Sequence, residues 1–218
     1  MHKISVSFLA IFSTIIISLF FDARSLKASN SEAPLQKKVI FLGDSLTAGY
    51  ALPPQASYPS QLKLLAEKDS KRLAVLNAAV SGDTTSGLLR RLPFVKFEGA
   101  DLVVIAIGAN DGLRGLNLEI ISDNIKKIVS QVSKNVKKER IILIGMKMPP
   151  NFGEEYAQDF FKMFSTLAEE LSLPYLPFLL EPIAERAEYF QSDMMHPNQE
   201  GTKLVAKHVY SFIKGKLD

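Results

Sequence analysis

The sequence has no cysteine, no tryptophan and only three histidines. Without cysteine it can form no disulfide, thiol nucleophile or sulfur-ligated zinc site. His2 belongs to a leader-like N-terminus, which leaves His196 and His208, twelve positions apart. Asp193 and His196 have no third well-spaced ligand, so no metal is expected. Charge of one sign is also scarce. The formal net charge is +3, too little for the basic field of a nucleic-acid binder. No Gly-x4-Gly-Lys-Ser/Thr run and no Gly-x-Gly-x-x-Gly run follows a strand, and no cofactor is expected. Among nucleotide ligands this leaves only a flavin phosphate held by hydroxyls such as Ser45 and Thr47 as an alternative.

What is present is apolar sequence in short runs. The chain is 47% hydrophobic over 218 residues, enough for one well-buried domain but cramped for two. Residues 1–28 read as a secretory signal: a basic start, an apolar run from Ile4 to Phe21, then the polar, small-residue stretch "DARSLKAS". Cleavage is expected after Ala28 or Ser25. The alternative is an uncleaved membrane anchor, since 18 residues can just span a bilayer. Cutting after Ala28 removes Lys3, Arg24, Lys27 and Asp22, which brings the net charge to about +1. Residues 29–218 are then the exported domain, expected in the periplasm or outside the cell, with no stable membrane insertion and as a monomer.

Within that domain, buried-type strands alternate with amphipathic helices. The runs at 37–44, 72–80, 101–111, 140–146 and 173–178 read as strands. Between them, Leu62, Leu65 and Ala66, then Leu88, Leu92 and Val95, then Ile121, Ile125, Ile128 and Val132 recur at helical spacing. Phe160, Phe164, Leu167 and Leu171 form another stripe, and Val205, Val209 and Phe212 the last. Ser57, Asp83 or Thr84, and Asn117 stand where helix caps belong. This order predicts a three-layer α/β/α fold around a five-stranded parallel sheet of flavodoxin-like order. Ligands of such sheets bind outside the carboxyl ends of the strands. The polar, non-periodic residues gather there: Asp44-Ser45, Ser81 to Asp83, Gly108 to Asp111, and "SDMMHPN" before the last helix.

Those loops hold the parts needed for acyl transfer: a hydroxyl on a turn, a base, a carboxylate to orient it, and oxyanion donors. His208 lies among helix-face residues and reads as a packing histidine. His196 precedes Pro197, which favours an extended loop conformation, so it is the candidate base. Asp193, three residues earlier, is within reach of Nδ1, which would leave Nε2 for Ser45. Asn110 and Gly82 stand at strand ends from which an amide or backbone N–H could meet an oxyanion. Ordinary turn chemistry also places Gly and Asn there.

Four blocks occur in order: "GDSL" at 43–46, "SGDT" at 81–84, "GAND" at 108–111 and "DMMHP" at 193–197. Together they resemble the GDSL, or SGNH, hydrolase family, across essentially the whole domain, and most nearly its bacterial periplasmic thioesterase/lysophospholipase branch. The resemblance implies Ser45 as nucleophile, His196 as base and Asp193 as its orienter. It places the oxyanion hole at the Ser45 N–H, the Gly82 N–H and Asn110 Nδ2. It implies a structural role for Asp44, and Asp111 reads the same way. The Gly-x-Ser-x-Gly elbow of α/β-hydrolases is absent, so a different scaffold reaches a similar geometry. The implied substrates are acyl-CoA thioesters, lysophospholipids and aryl esters, with carbohydrate O-deacetylation the alternative. Leu113, Leu116, Met148 and Pro149 make the loops at the carboxyl edge apolar, which suits an acyl chain. Leu116 is expected to close over it.

Overall fold

The computed structural model describes residues 36–217. The expected signal segment, 1–28, lies outside the described residues. Five parallel strands run β1 (Lys37–Gly43), β2 (Leu73–Asn77), β3 (Leu102–Ala106), β4 (Ile141–Ile144) and β5 (Tyr175–Leu176). Their spatial order is β2-β1-β3-β4-β5, the doubly wound flavodoxin-like order. β1 pairs with β2 through Phe41 and Asn77, and with the central strand β3 through Gly43 and Ala106. Val39 to Leu42, Leu102 to Ala106 and Ile141 to Ile144 have no exposed surface. A strand covered on both faces needs apolar residues at every position, which is why these runs do not alternate.

The helices are α1 (Ser45–Ala48), α2 (Tyr58–Lys68), α3 (Thr85–Arg91), α4 (Ala109–Leu113), α5 (Leu118–Val132), α6 (Glu154–Leu171) and α7 (Gln199–Ile213). α2 packs on α7, while α5 packs on both α3 and α6. Right-handed crossovers put these two groups on opposite faces, because the chain reverses its direction across the sheet after β2. The stripe of Ile121, Ile125, Ile128 and Val132 is buried as its spacing predicts.

Several elements are shorter than their apolar runs. Asn77 ends β2 with its side chain, accepting from the Ala79 N–H and donating to the Thr47 carbonyl. Pro174 and Pro177 confine β5 to two residues, because proline has no N–H for the ladder. Gly108, at φ +119°, turns the end of β3 into the short helix α4. Thr84 rather than Asp83 caps α3, accepting from the Gly87 N–H. Asn117 caps α5 as expected. Asn198, which the sequence reading did not single out, caps α7 by accepting from the Glu200 and Gly201 N–H groups.

Candidate active site

Ser45 opens α1 at the carboxyl end of β1. Its turn is fixed from both sides. Asp44 caps the helix by accepting from the Leu46 N–H at 3.1 Å. Gly43 lies so close to its neighbours that a methyl group there would sit 2.4 Å from Thr47 Oγ1 and 2.7 Å from the Ala106 carbonyl. Only glycine allows β1, β3 and α1 to meet this closely. Asp44 is fully buried, and its Oδ2 has no partner among the described residues. Burial, with the charges of Asp111 and Asp83, pushes its carboxyl up to about 7 against the lowering bond from Leu46.

Asp193, Met194, Met195 and His196 form one tight turn. The Asp193 carboxylate folds back over it. Oδ1 accepts from the Met195 and His196 N–H groups at 2.9 and 3.0 Å, and Oδ2 lies 2.7 Å from His196 Nδ1. Met194 takes the left-handed conformation, φ +55°, to close the turn. Partial desolvation works upward on Asp193. The two backbone N–H groups and the imidazole outweigh it and hold the carboxyl down at about 2. His196 Nε2 then meets Ser45 Oγ at 2.9 Å. With Nδ1–H donated to the carboxylate, Nε2 is the acceptor for the serine hydroxyl.

The imidazole is held from outside the turn as well. The Tyr50 ring packs on it with centroids 4.5 Å apart. Gln191 Nε2 donates to the carbonyls of Tyr50 and Pro197 at 2.8 and 3.0 Å, tying the segment after α1 to the histidine loop. Neither Tyr50 nor Gln191 carries a motif, and only their long-range contacts reveal them. His208 lies elsewhere: its Nε2 bonds the Phe178 carbonyl at 3.1 Å, in keeping with a packing role.

Gly82 and Asn110 border the same cavity as Ser45 and His196. The N–H groups of Ser45 and Gly82 have no acceptor among the described residues. Asn110 Nδ2 donates one hydrogen to the Asp83 carbonyl at 3.0 Å, which orients the amide and leaves its second hydrogen. Beside it, Asp111 is buried and accepts from the Thr85 N–H and hydroxyl at 2.9 and 2.6 Å. Asn124 donates to the same hydroxyl. Burial raises the Asp111 carboxyl, and the Thr85 bonds oppose that rise.

The cavity has a volume of about 680 Å³ and is mostly apolar. Leu113, Met148 and Pro149 line it. Phe178, Leu180 and Phe190 complete its wall; Phe178, expected at the end of the fifth strand, lies beyond the two-residue β5. Leu116 does not line it. Its side chain is half-buried against the core, and its carbonyl accepts from the Tyr156 hydroxyl at 2.8 Å. That bond fastens the segment after α4 to α6, so in this structure Leu116, expected beside the acyl chain, packs on the core instead of facing the cavity. Among the described residues, no group of His, Asp and Glu could hold a metal, and no helix is long and apolar enough to cross a membrane.

A serine hydroxyl, an imidazole and a carboxylate in one hydrogen-bonded line, at the carboxyl edge of a parallel sheet and beside free amide donors, define a serine hydrolase. Comparison with known proteins specifies it further. Residues 41–204 match the GDSL-like lipase/acylhydrolase family, and the chain belongs to that family. An arylesterase of Vibrio mimicus is 35% identical over 79% of this chain and 86% of its own length. Thioesterase 1/protease 1/lysophospholipase L1 of Escherichia coli K12 is 32% identical over 77% of this chain and 79% of its own. Among solved structures, AlinE4, an SGNH-hydrolase family esterase, superposes with a TM-score of 0.69 at 33% identity, over 83% of this chain and 97% of its own. The protein is a serine ester hydrolase with small-molecule ester substrates.

Proposed function

We propose that the enzyme cleaves acyl esters and thioesters through a covalent acyl-enzyme on Ser45. The observation that carries this reading is the unbroken line from Asp193 Oδ2 to His196 to Ser45 Oγ, with contacts of 2.7 and 2.9 Å. His196 Nε2 takes the hydroxyl proton as Ser45 Oγ attacks the carbonyl carbon. The carbonyl electron pair moves to oxygen, where the Ser45 N–H, Gly82 N–H and Asn110 Nδ2 receive the charge. The imidazolium gives its proton to the departing alcohol or thiol as the C–O or C–S bond breaks. Water then repeats the sequence: His196 removes its proton, the hydroxyl adds to the acyl carbon, and Ser45 leaves with the proton returned. Asp193 stays ionised throughout, since its pKa lies at about 2.

The cavity indicates the acyl side of the substrate. Leu113, Met148 and Phe178 offer apolar surface beside the hydroxyl, worth about 0.8 kcal/mol per buried CH₂. Acyl-CoA thioesters, lysophospholipids and aryl esters all present such a chain or ring. Activity on a p-nitrophenyl ester series from acetyl to dodecanoyl tests this. kcat/KM is expected to rise from acetyl to medium chains, and S45A to abolish turnover. A profile that peaks at acetyl would favour the carbohydrate deacetylase instead. Export through residues 1–28 to the periplasm belongs to the same proposal. N-terminal sequencing of protein recovered from a Gram-negative host should give a start near Ala28 or Ser25, and an intact Met1 in the membrane fraction would contradict it.

A further inference from the structure

We propose that Arg91 is a positioning residue for the oxyanion side of this site. It would act by locking the loop that carries Gly82 to the end of β1 that carries Ser45. The inference rests on the reading of Ser45, Gly82 and Asn110 as the oxyanion donors.

Gly82 has little else to hold it. Ser81 and Gly82 are both exposed. A methyl group built on Gly82 would meet nothing within 4 Å. Its φ of +80° is open to glycine without strain but is not enforced by packing. The nearest side-chain tether on Gly82 itself is an exposed Arg114 bond to its carbonyl at 3.4 Å. A donor useful in the transition state must be placed beforehand, since a donor that has to be ordered during reaction gives back part of its stabilisation.

Arg91, at the end of α3, supplies that placement with one planar group. Its Nε donates to Asp83 Oδ2 at 2.6 Å, its Nη1 to the Ala78 carbonyl at 2.6 Å and its Nη2 to the Gly43 carbonyl at 3.3 Å. The three acceptors surround the candidate donors. Gly43 stands two residues before Ser45. Asp83 follows Gly82. The Asp83 carbonyl accepts Asn110 Nδ2 at 3.0 Å. Backbone bonds close the same frame: Val80 N–H donates to the Gly43 carbonyl and Asp83 N–H to the Val80 carbonyl, both at 3.1 Å. The ion pair is largely shielded, with side-chain exposures of 24% for Arg91 and 10% for Asp83, so water competes with it less than at the open surface. The helix also leaves room for it. A methyl group on Gly87 would lie 2.0 Å from Asp83 Oδ1, so Gly87 is the gap into which that carboxylate fits.

The test compares wild type, R91A, R91K, D83A, N110A and the R91A/N110A double variant on p-nitrophenyl butyrate, with kcat, KM and thermal midpoint measured for each. R91A and D83A should each lower kcat about 10–100-fold, less than the 10²–10³-fold expected of deleting a donor outright. KM should move less than about threefold, because the ground-state carbonyl makes weaker use of the donors. R91K should recover little, since an ammonium cannot reach three acceptors in a planar fork. In the N110A background R91A should cost clearly less than alone, because part of what it positions is gone. The rate of inactivation by a serine-reactive phosphonate should fall in parallel with kcat. If R91A does not fold, D83A carries the same test. R91A and D83A both folded with kcat within threefold of wild type would overturn the proposal, as would losses seen only as a raised KM. An unchanged kcat in N110A would instead overturn the oxyanion reading beneath it.

Discussion

The two halves of the active site are held together in opposite ways. On the proposed proton-relay side the groups touch one another directly. Asp193 and His196 share one turn, the carboxylate caps the backbone that carries the imidazole, and the imidazole touches Ser45. On the oxyanion side nothing is local. The proposed donors Gly82, in the turn after β2, and Asn110, in α4 after β3, keep station through Asp83, Arg91, Thr85 and Asp111. The relay groups contact one another, so removing one should destroy the unit. The donors are placed at second hand, so damage there should be graded.

That contrast orders the expected effects. S45A and H196A should each lower kcat by about 10⁵–10⁶-fold, since either loss disables the whole relay. D193A should cost about 10³–10⁴-fold, because the carboxylate orients and stabilises the imidazole but does not react. Crossing to the other side, N110A should cost about 10²–10³-fold. All three are read by steady-state hydrolysis of a short p-nitrophenyl ester. A loss in N110A as deep as that in H196A would erase the distinction between the halves.

Smaller again is an effect on stability rather than rate. Asp44, buried next to Ser45 in the chain, has its carboxyl pushed up to about 7 by that burial, above an unfolded value of about 3.9. Such a group holds its proton more tightly when folded. Its contribution to stability is therefore fully present below the unfolded value and is lost as the pH climbs through the interval to about 7, by about 4 kcal/mol at full ionisation. Asp111, raised by its burial, acts in the same direction. The thermal midpoint should rise as the pH falls from 7 towards 5, and D44N should flatten that slope. At the end of the series, H208A should leave kcat within about twofold, because its imidazole bonds the Phe178 carbonyl and lies 3.7 Å from Glu181 Oε2, with no contact to Ser45 or His196 among the described residues.

The same contrast explains what the sequence discloses. The relay was legible because its parts sit in short blocks: Asp193 and His196 three apart, and Ser45 directly after a strand run. The sheet was legible because strands buried on both faces are apolar at every position. The helix stripes showed which faces pack. Arg91 was not legible. It reads as an ordinary cation at a helix end, where charge and dipole already favour one, and only the folded chain brings Gly43 and Ala78 to it from 48 and 13 residues away. Leu116 misled for a related reason. It is apolar and adjacent to the motif, yet the Tyr156 hydroxyl, forty residues on, turns its segment toward α6. Phe190 joins the cavity wall from a stretch without periodicity, so no pattern marked it, and Phe178 joins it because β5 stops short of the run in which it was expected.

The central claim is a covalent intermediate on Ser45. It is tested most directly by acid-quenching the enzyme within milliseconds of mixing with excess p-nitrophenyl butyrate, followed by peptide mapping by mass spectrometry. The account predicts a butyryl group on the peptide bearing Ser45, present in wild type and absent from S45A and, at this time, from H196A, which lacks the base for its formation. A butyryl group on another residue, or turnover by wild type with none trapped on Ser45 while p-nitrophenol appears in a stoichiometric burst, would contradict it.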